Sequence, residues 1–371
     1  MAAPAAGSAV AALVVGVGFD PGRGELVADV LVATGMFAET VDDQDRRPRR
    51  AGPGTAGLGL VGRPAADQDV RAIGGVDMTD DGWHSPSVRD PRTRYSPAMS
   101  DWVEIGDRVF VRRYAFFDQN IGVVLGGDEA LVIDTRSTHA QAREILADLR
   151  ELTRAPVTVV VDTHGHFDHA YGNHVFRPAT IWGHERCVAF MARTGEARRQ
   201  TIAAQEPDLA DDLLEVVIDP PDRTFAAEVT IEIGGRPVEL RYLGRGHTDH
   251  DIVISVPGSR VVFAGDLIEN GAVPSFGDSY PLDWPATAAA LVPLVDGVVV
   301  PGHGDHGNQA FAEDQALAFA RLAVLARRVA SGELSLDEAI AAHPFAQHPP
   351  DHARRPFKRA LAQLRGEIGD P

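Results

Sequence analysis

The stretch Asp162-Thr163-His164-Gly165-His166-Phe167-Asp168-His169-Ala170-Tyr171-Gly172-Asn173 decides how the rest of this chain is read. It follows Val157–Val161, which is apolar except for Thr158 and reads as a buried strand, so the loop leaves the end of a rigid element. Three histidines and one aspartate within six residues cannot share one face of a helix or strand. In a tight loop they can converge, and Gly165 supplies the unusual dihedrals such a loop needs. Neutral imidazole and carboxylate are ligand types that zinc accepts, at roughly 2.0–2.2 Å. A lone histidine is more often packed or exposed than ligating. Four such groups at this density, straight after an apolar strand, point to a metal site.

Outward from this loop, strand and helix signals alternate. Trp102, Val103, Ile105, Val109, Phe110 and Val111 are spaced like a first hairpin, and Arg108–Tyr114, Ile121–Gly126 and Ala130–Asp134 read as short strands. Thr138–Leu152 has helical spacing, Ile181-Trp182 is a short strand, and Glu185–Arg193 a helix. Val229–Ile233 and Val238–Leu243 form a hairpin turning at Gly234-Gly235, and Ile252–Val256 with Val261–Ala264 another at Pro257-Gly258. Pro285–Leu294 is helical, Val298–Val300 a strand and Gln309–Ala330 a long amphipathic helix; Ser335-Leu-Asp-Glu338 reads as a capping box. Strands, a helix and a loop rich in ligand-type residues occur in that order twice.

The spacing His164-x-His166-x-Asp168-His169 resembles the HxHxDH motif of the metallo-β-lactamase fold superfamily. Three further segments resemble that family in order: Gly246-His247-Thr248, Phe263-Ala264-Gly265-Asp266 and Pro301-Gly302-His303-Gly304. The resemblance covers about Val109 to Gly304. It implies an α+β fold, a four-layer αβ/βα sandwich with metals at the sheet edge. It implies that His164, His166 and His247 hold one zinc, that Asp168, His169 and His303 hold a second, and that Asp266 bridges them. The activity implied is hydrolysis of a small ester, thioester, lactone or lactam by a metal-bridging hydroxide, with Asp168 as the catalytic residue that orients it. A glyoxalase II-like thioesterase and an iron-dependent persulfide dioxygenase are the alternatives, and a phosphodiesterase or nuclease stands behind them. Relatives that reduce oxygen or nitric oxide carry a carboxylate where this chain has His166, and the intact pair His169 and His303 speaks against a single iron. Asp266 stands where the cysteine-containing metallo-β-lactamases have their cysteine ligand.

Other residues have weaker readings. Asp134 resembles a family aspartate beside the site and equally fits a strand-end cap. Asp249-His250 departs from the glyoxalase II pattern, where glycine precedes the second histidine, and His250 reads more readily as surface than as substrate-facing. His306 is expected to be exposed, His174 and His184 structural, and Cys187 an ordinary packed thiol. Phe116-Phe117 reads either as an apolar lid or as packed rings, and Asn270–Trp284 should pass near the site.

Composition bounds these readings. The chain has 371 residues, 44% of them apolar, and a formal net charge of −18. An acidic surface disfavours nucleic acid and anionic membranes, leaving a small-molecule substrate. One cysteine excludes an intrachain disulfide and fits a reducing, cytoplasmic location; no run reaches the ~20 apolar residues of a membrane span and no secretory signal is evident. Residues 1–98 hold 14 Gly and 8 Pro, against 23 and 17 in the 273 that follow. Apart from Glu25–Phe37, which looks helical, they show little periodicity. The ordered pattern opens at Met99, so residues 1–98 read as a Gly/Pro-rich extension, disordered or upstream of the natural start, ahead of a hydrolase domain over 99–371.

Overall fold

The computed structural model describes residues 13–20, 25–32, 102–271, 273–345 and 350–368. β1 (Leu13–Asp20) and β2 (Glu25–Val32) pair antiparallel along their whole length as a two-stranded sheet of their own. The helical reading of Glu25–Phe37 is thus corrected. Val27, Val30 and Val32 are β-branched and favour extended backbone, and a pairing partner is available at Leu13–Asp20. The rest of the first 98 residues lies outside the described ones.

The first half of the remaining chain contributes β3 (Val103–Gly106), β4 (Val109–Tyr114), β5 (Gln119–Leu125), β6 (Ala130–Ile133), α1 (His139–Leu152), β7 (Val157–Val161), α2 (Phe167–Ala170), β8 (Thr180–His184), α3 (Glu185–Gln205), α4 (Ala210–Leu214) and β9 (Arg223–Phe225). The second half contributes β10 (Glu228–Ile233), β11 (Arg236–Tyr242), β12 (Ile252–Val256), β13 (Val261–Gly265), α5 (Trp284–Leu291), β14 (Val298–Pro301), α6 (Gln309–Ala330), α7 (Leu336–Ala341), α8 (Pro350–Ala353) and α9 (Arg355–Leu364). The expected hairpins and helices are present, and Ser335 and Glu338 make both bonds of the capping box. α3 runs well past the expected end at Arg193. Gly195 sits inside the helix, at a point where Ile218 packs close: a Cβ there would stand 3.0 Å from it.

Two mixed sheets result. One has seven strands in the order β3 to β9, antiparallel up to β6 and parallel from β6 to β9. The other has five, β10 to β14, with only β13–β14 parallel. Alternation along each strand builds the layers. Val109, Val111, Val124, Leu131 and Ile133 of the first sheet share one buried cluster with Ile233, Leu240, Ile254, Val261 and Phe263 of the second, so the sheets pack face to face. Gly122 leaves room for the Phe263 ring between them; a Cβ there would stand 2.4 Å from it. On the outer faces, Ile121, Val123 and Val132 pack on Ile145 and Leu149 of α1, while Val253, Val262 and Ala264 pack with Trp284 of α5 and Phe319 of α6. The order is helix, sheet, sheet, helix, the α+β sandwich that the resemblance implied. Among the described residues no helix is long and apolar enough to cross a membrane.

The strands end on loops that converge on one edge. β6 delivers Asp134, β7 delivers His164 to His169, β11 leads to His247, β13 to Asp266 and β14 to His303. Every strand named here begins after Met99. A chain starting at Met99 is therefore expected to keep the cooperative thermal transition and activity of the full chain, checked by calorimetry and turnover of the two side by side. A truncated chain that aggregates would show the leading segment to be structural.

Candidate metal centre

Seven side chains from these loops meet in one buried cluster. His164 Nε2 lies 3.0 Å from His166 Nδ1, which lies 2.8 Å from His247 Nε2. Nitrogens around one tetrahedral zinc stand roughly 3.3 Å apart, so these three are slightly tighter than co-ligands of one ion. Beside them, His169 Nε2 and His303 Nε2 stand 3.2 Å apart, with Asp168 Oδ2 at 3.5 and 3.4 Å from the two. Asp266 lies between the groups. Its Oδ1 is 3.3 Å from His169 Nε2 and 3.4 Å from His303 Nε2, and its Oδ2 is 3.4 Å from His247 Nε2 and 3.8 Å from His164 Nε2. All seven residues expected from sequence are thus brought together, as two triads sharing one carboxylate.

Each imidazole is anchored by the nitrogen that faces away from the cluster. His169 Nδ1 donates to Asp134 Oδ2 at 2.8 Å, His303 Nδ1 to the Phe117 carbonyl at 2.7 Å and His247 Nδ1 to the Ser275 carbonyl at 3.3 Å. His164 Nδ1 lies 3.1 Å from Thr163 Oγ1, which itself donates to Asp134, and His166 Nε2 lies 3.0 Å from Asp278 Oδ2. Such partners fix the tautomer of each neutral ring, so the inward nitrogen is the one that offers a lone pair once it carries no proton. Five inward lone pairs at these distances repel one another unless a cation or protons lie between them.

The surrounding charge points the same way. Asp134, Asp162, Asp168, Asp249, Asp251, Asp266 and Glu269 are all buried, and both oxygens of Asp168 and Oδ1 of Asp266 have no hydrogen-bond partner. Buried carboxylates with neither partner nor counter-charge are costly. Three of the acids are raised: burial pushes Asp162 well above the usual carboxylate value and Asp251 upward, and burial with the neighbouring Asp266 lifts Glu269 to about 8. Asp266 goes the other way. Burial works to raise it, but the His169, His303, His247 and His164 imidazoles hold it well below. The donor set therefore fits metal cations: five nitrogens and two carboxylates suit zinc better than magnesium or calcium.

Several weaker readings resolve here. Asp134 is part of the site, since it accepts from the Thr163 N–H at 2.8 Å and orients His169. His250 is corrected from surface to buried. Its Nε2 accepts from the Gly165 N–H at 3.1 Å and its Nδ1 donates to Asp249 at 2.6 Å, so it braces the first ligand loop. Gly165 is absent from the positive-φ residues. Its role is close approach, because a Cβ would stand 3.0–3.1 Å from Phe190, Cys187 and Met191. His306 is half-buried rather than exposed. His184 caps α3, Cys187 is packed, and His174 is exposed beside Asp219, 3.2 Å away. Phe117 packs edge-on against Phe167, and its backbone, with that of Asp118, takes positive φ so that its carbonyl meets His303. The loop after Asp266 does pass the site. Within it, Asp278 and Ser275 touch ligand-type histidines without any motif to mark them. A cavity of about 450 Å³ lined by Arg186, Tyr242 and Arg245 holds none of the cluster side chains.

The two triads differ toward protons. Burial holds His164 well below the usual imidazole range and His166 down to about 4, so both are neutral at neutral pH. Burial also works to lower His169 and His303, but Asp266 and Asp168, with Asp134 at His169, outweigh it and raise both well above that range. A cation entering the second triad must therefore displace protons, and its affinity rises with pH through and above neutrality. In the first triad, His166 takes up no competing proton until pH falls toward about 4. Calorimetric zinc titration of metal-free protein in buffers of different ionisation enthalpy should show more proton release with the second ion than with the first. Equal release with both ions would overturn this assignment.

A family model described as the metallo-beta-lactamase superfamily matches residues 114–303. A type 2 metallo-beta-lactamase of Bacteroides fragilis is 23% identical over 222 residues, covering 58% of this chain and 80% of that protein. A linear primary-alkylsulfatase of a Pseudomonas species is 24% identical over 209 residues, covering 47% of this chain and 39% of its own length. A solved sec-alkyl sulfatase variant shares the fold at TM-score 0.57 and 16% identity, covering 71% of this chain and 50% of that one.

Proposed function

The chain belongs to the metallo-β-lactamase superfamily and is a metallo-hydrolase of that fold, and we propose that it uses two zinc ions to hydrolyse a small ester, thioester, lactone or lactam. The observation that supports the two-ion reading is Asp266, whose two oxygens face separate triads. In this reading His164, His166 and His247 hold one ion, and Asp168, His169 and His303 the other. Bound there, the ions supply a Lewis acid for the substrate carbonyl and lower the pKa of bound water. The chain's own residues do the rest. Asp134, Thr163, Phe117, Ser275 and Asp278 hold the imidazoles in place. Asp168, buried and with neither oxygen hydrogen-bonded, is placed to accept a proton from water and to aim it. No protein nucleophile is required.

A glyoxalase II-like thioesterase falls within this chemistry. A persulfide dioxygenase would need a single iron, which leaves the second triad without use, and the net charge of −18 disfavours a nuclease. Some proteins similar to this one are named as β-lactamases and others as alkylsulfatases, so the decisive measurement includes both substrates. Turnover of thioesters, lactones, β-lactams, alkyl sulfates and phosphodiesters should be measured on one sample with metal analysis. Close to two zinc per chain, with acyl hydrolysis abolished by chelation, is the expected result. Tightly bound single iron with oxygen-dependent activity would overturn it.

Two variants separate the roles within the site. Asp168→Asn keeps shape but removes charge, so it should lose the second ion, keep the first, and cost on the order of 10²-fold or more in turnover through a badly oriented nucleophile. Asp266→Ala faces both triads and should leave substoichiometric metal at each. Equal metal loss in both variants, or near-normal turnover in Asp168→Asn, would falsify the site as drawn.

A further inference from the structure

α9 lies outside the region matched by the family, yet two of its side chains reach the loop beside the centre. Arg359 donates from Nε to the Ser279 carbonyl at 2.7 Å and from Nη2 to the Asp278 carbonyl at 2.9 Å. Four residues on, and so on the same helix face, Gln363 Oε1 accepts from the Leu282 N–H at 3.0 Å. α9 is a firm platform for these contacts. Phe357 and Ala360 are fully buried against Leu325 and Ala326 of α6 and Ala339 of α7.

Among the described residues of the loop between Asp266 and α5, 271 and 273–283 form no helix or strand, a long irregular stretch for the inside of a packed domain. Its position depends on what ties it. Asp278 in the middle of it places Oδ2 3.0 Å from His166 Nε2 and 3.1 Å from Arg198 Nη2. The backbone carbonyl of that same residue is one of the two that Arg359 grips. Charge-assisted bonds to successive carbonyls fix the peptide that leaves the Asp278 Cα, and so restrict how that Cα and its side chain can turn.

We propose that α9 is a positioning element for the metal centre: Arg359 and Gln363 fix the 278–282 backbone so that Asp278 holds His166 with Nδ1 turned inward. This rests on His166 being a metal ligand. Removing the grip lets Asp278 drift, and the His166 ring then loses its orientation while His164 and His247 keep theirs. Loss of such an outer partner weakens metal binding by about 10- to 100-fold.

The test is a set of variants read by metal binding as well as by turnover. Co²⁺ titration of the metal-free full chain, followed by its visible absorption bands, compares wild type with Arg359→Ala, Gln363→Ala, Asp278→Asn and the Arg359→Ala/Asp278→Asn pair. Arg365→Ala, at the C-terminal cap of the same helix and paired with Glu367, serves as the reference. Arg359→Ala is expected to fold, to weaken one Co²⁺ by roughly 10-fold with altered bands, and to leave the other ion as in wild type. The double variant should be no weaker than Asp278→Asn alone, since both changes break one chain of contacts. Gln363→Ala, the milder change, should move the same bands in the same direction. Wild-type-like spectra and affinity in Arg359→Ala and Gln363→Ala, or simple additivity of Arg359→Ala with Asp278→Asn, would overturn the inference alone. A wild type that takes up no Co²⁺ would instead overturn the metal-centre reading and the inference with it.

Discussion

The carboxylate of Asp266 sits buried between two groups of imidazole nitrogens, with one oxygen turned toward each. Five inward-facing nitrogens and two carboxylates crowd into that volume, and three of the carboxylate oxygens have no hydrogen-bond partner. Cations remove the conflict. The fold is arranged to sustain this one concentration of charge and lone pairs, and most other features near it follow from keeping seven side chains pointed at the same place.

The anchoring partners come from distant parts of the chain. Asp134 ends β6, the Phe117 carbonyl lies in the turn between β4 and β5, and Ser275 and Asp278 lie in the loop after β13. Backbone conformation is bent to the same end. Phe117 and Asp118 take left-handed φ at a cost of order 1–3 kcal/mol each, and the carbonyl so placed receives the proton of His303. Gly302 leaves room for Asp266 itself, since a Cβ there would fall 1.9 Å from its Oδ1.

The two halves of the sandwich use one local device twice. Thr163 gives both its N–H and its hydroxyl to the oxygens of Asp134, and Thr248 does the same with Asp251. Each threonine adjoins a histidine of the first triad, His164 and His247. A pinned threonine holds the backbone of the residue beside it, so both ligand loops are rigid where they enter the cluster. The repetition of strands, helix and loop visible in the sequence is thus matched by a repeated way of fixing a loop to a carboxylate.

The sequence by itself showed a dense ligand-type motif and an alternation of strands and helices, and the resemblance carried by four short segments implied the family, the layer order and the seven side chains expected at the centre. Those features are local: a dense motif after an apolar strand, hydrophobic alternation of period two or 3.6, and short glycine-marked loops. Most of what orients the centre was not legible. Asp278 and Ser275 sit in a segment without periodicity, Arg359 and Gln363 look like ordinary residues of a late helix, and His250 reads as surface until β12 and α3 are folded around it. Gly165 looked like a dihedral requirement and proved to be a packing one. Contacts of this kind span up to 186 residues of chain, as between Phe117 and His303, and leave no spacing for a pattern to detect. Only the packing of the two sheets brings their partners within hydrogen-bond range, which is why tertiary structure alone decided how each ligand is aimed.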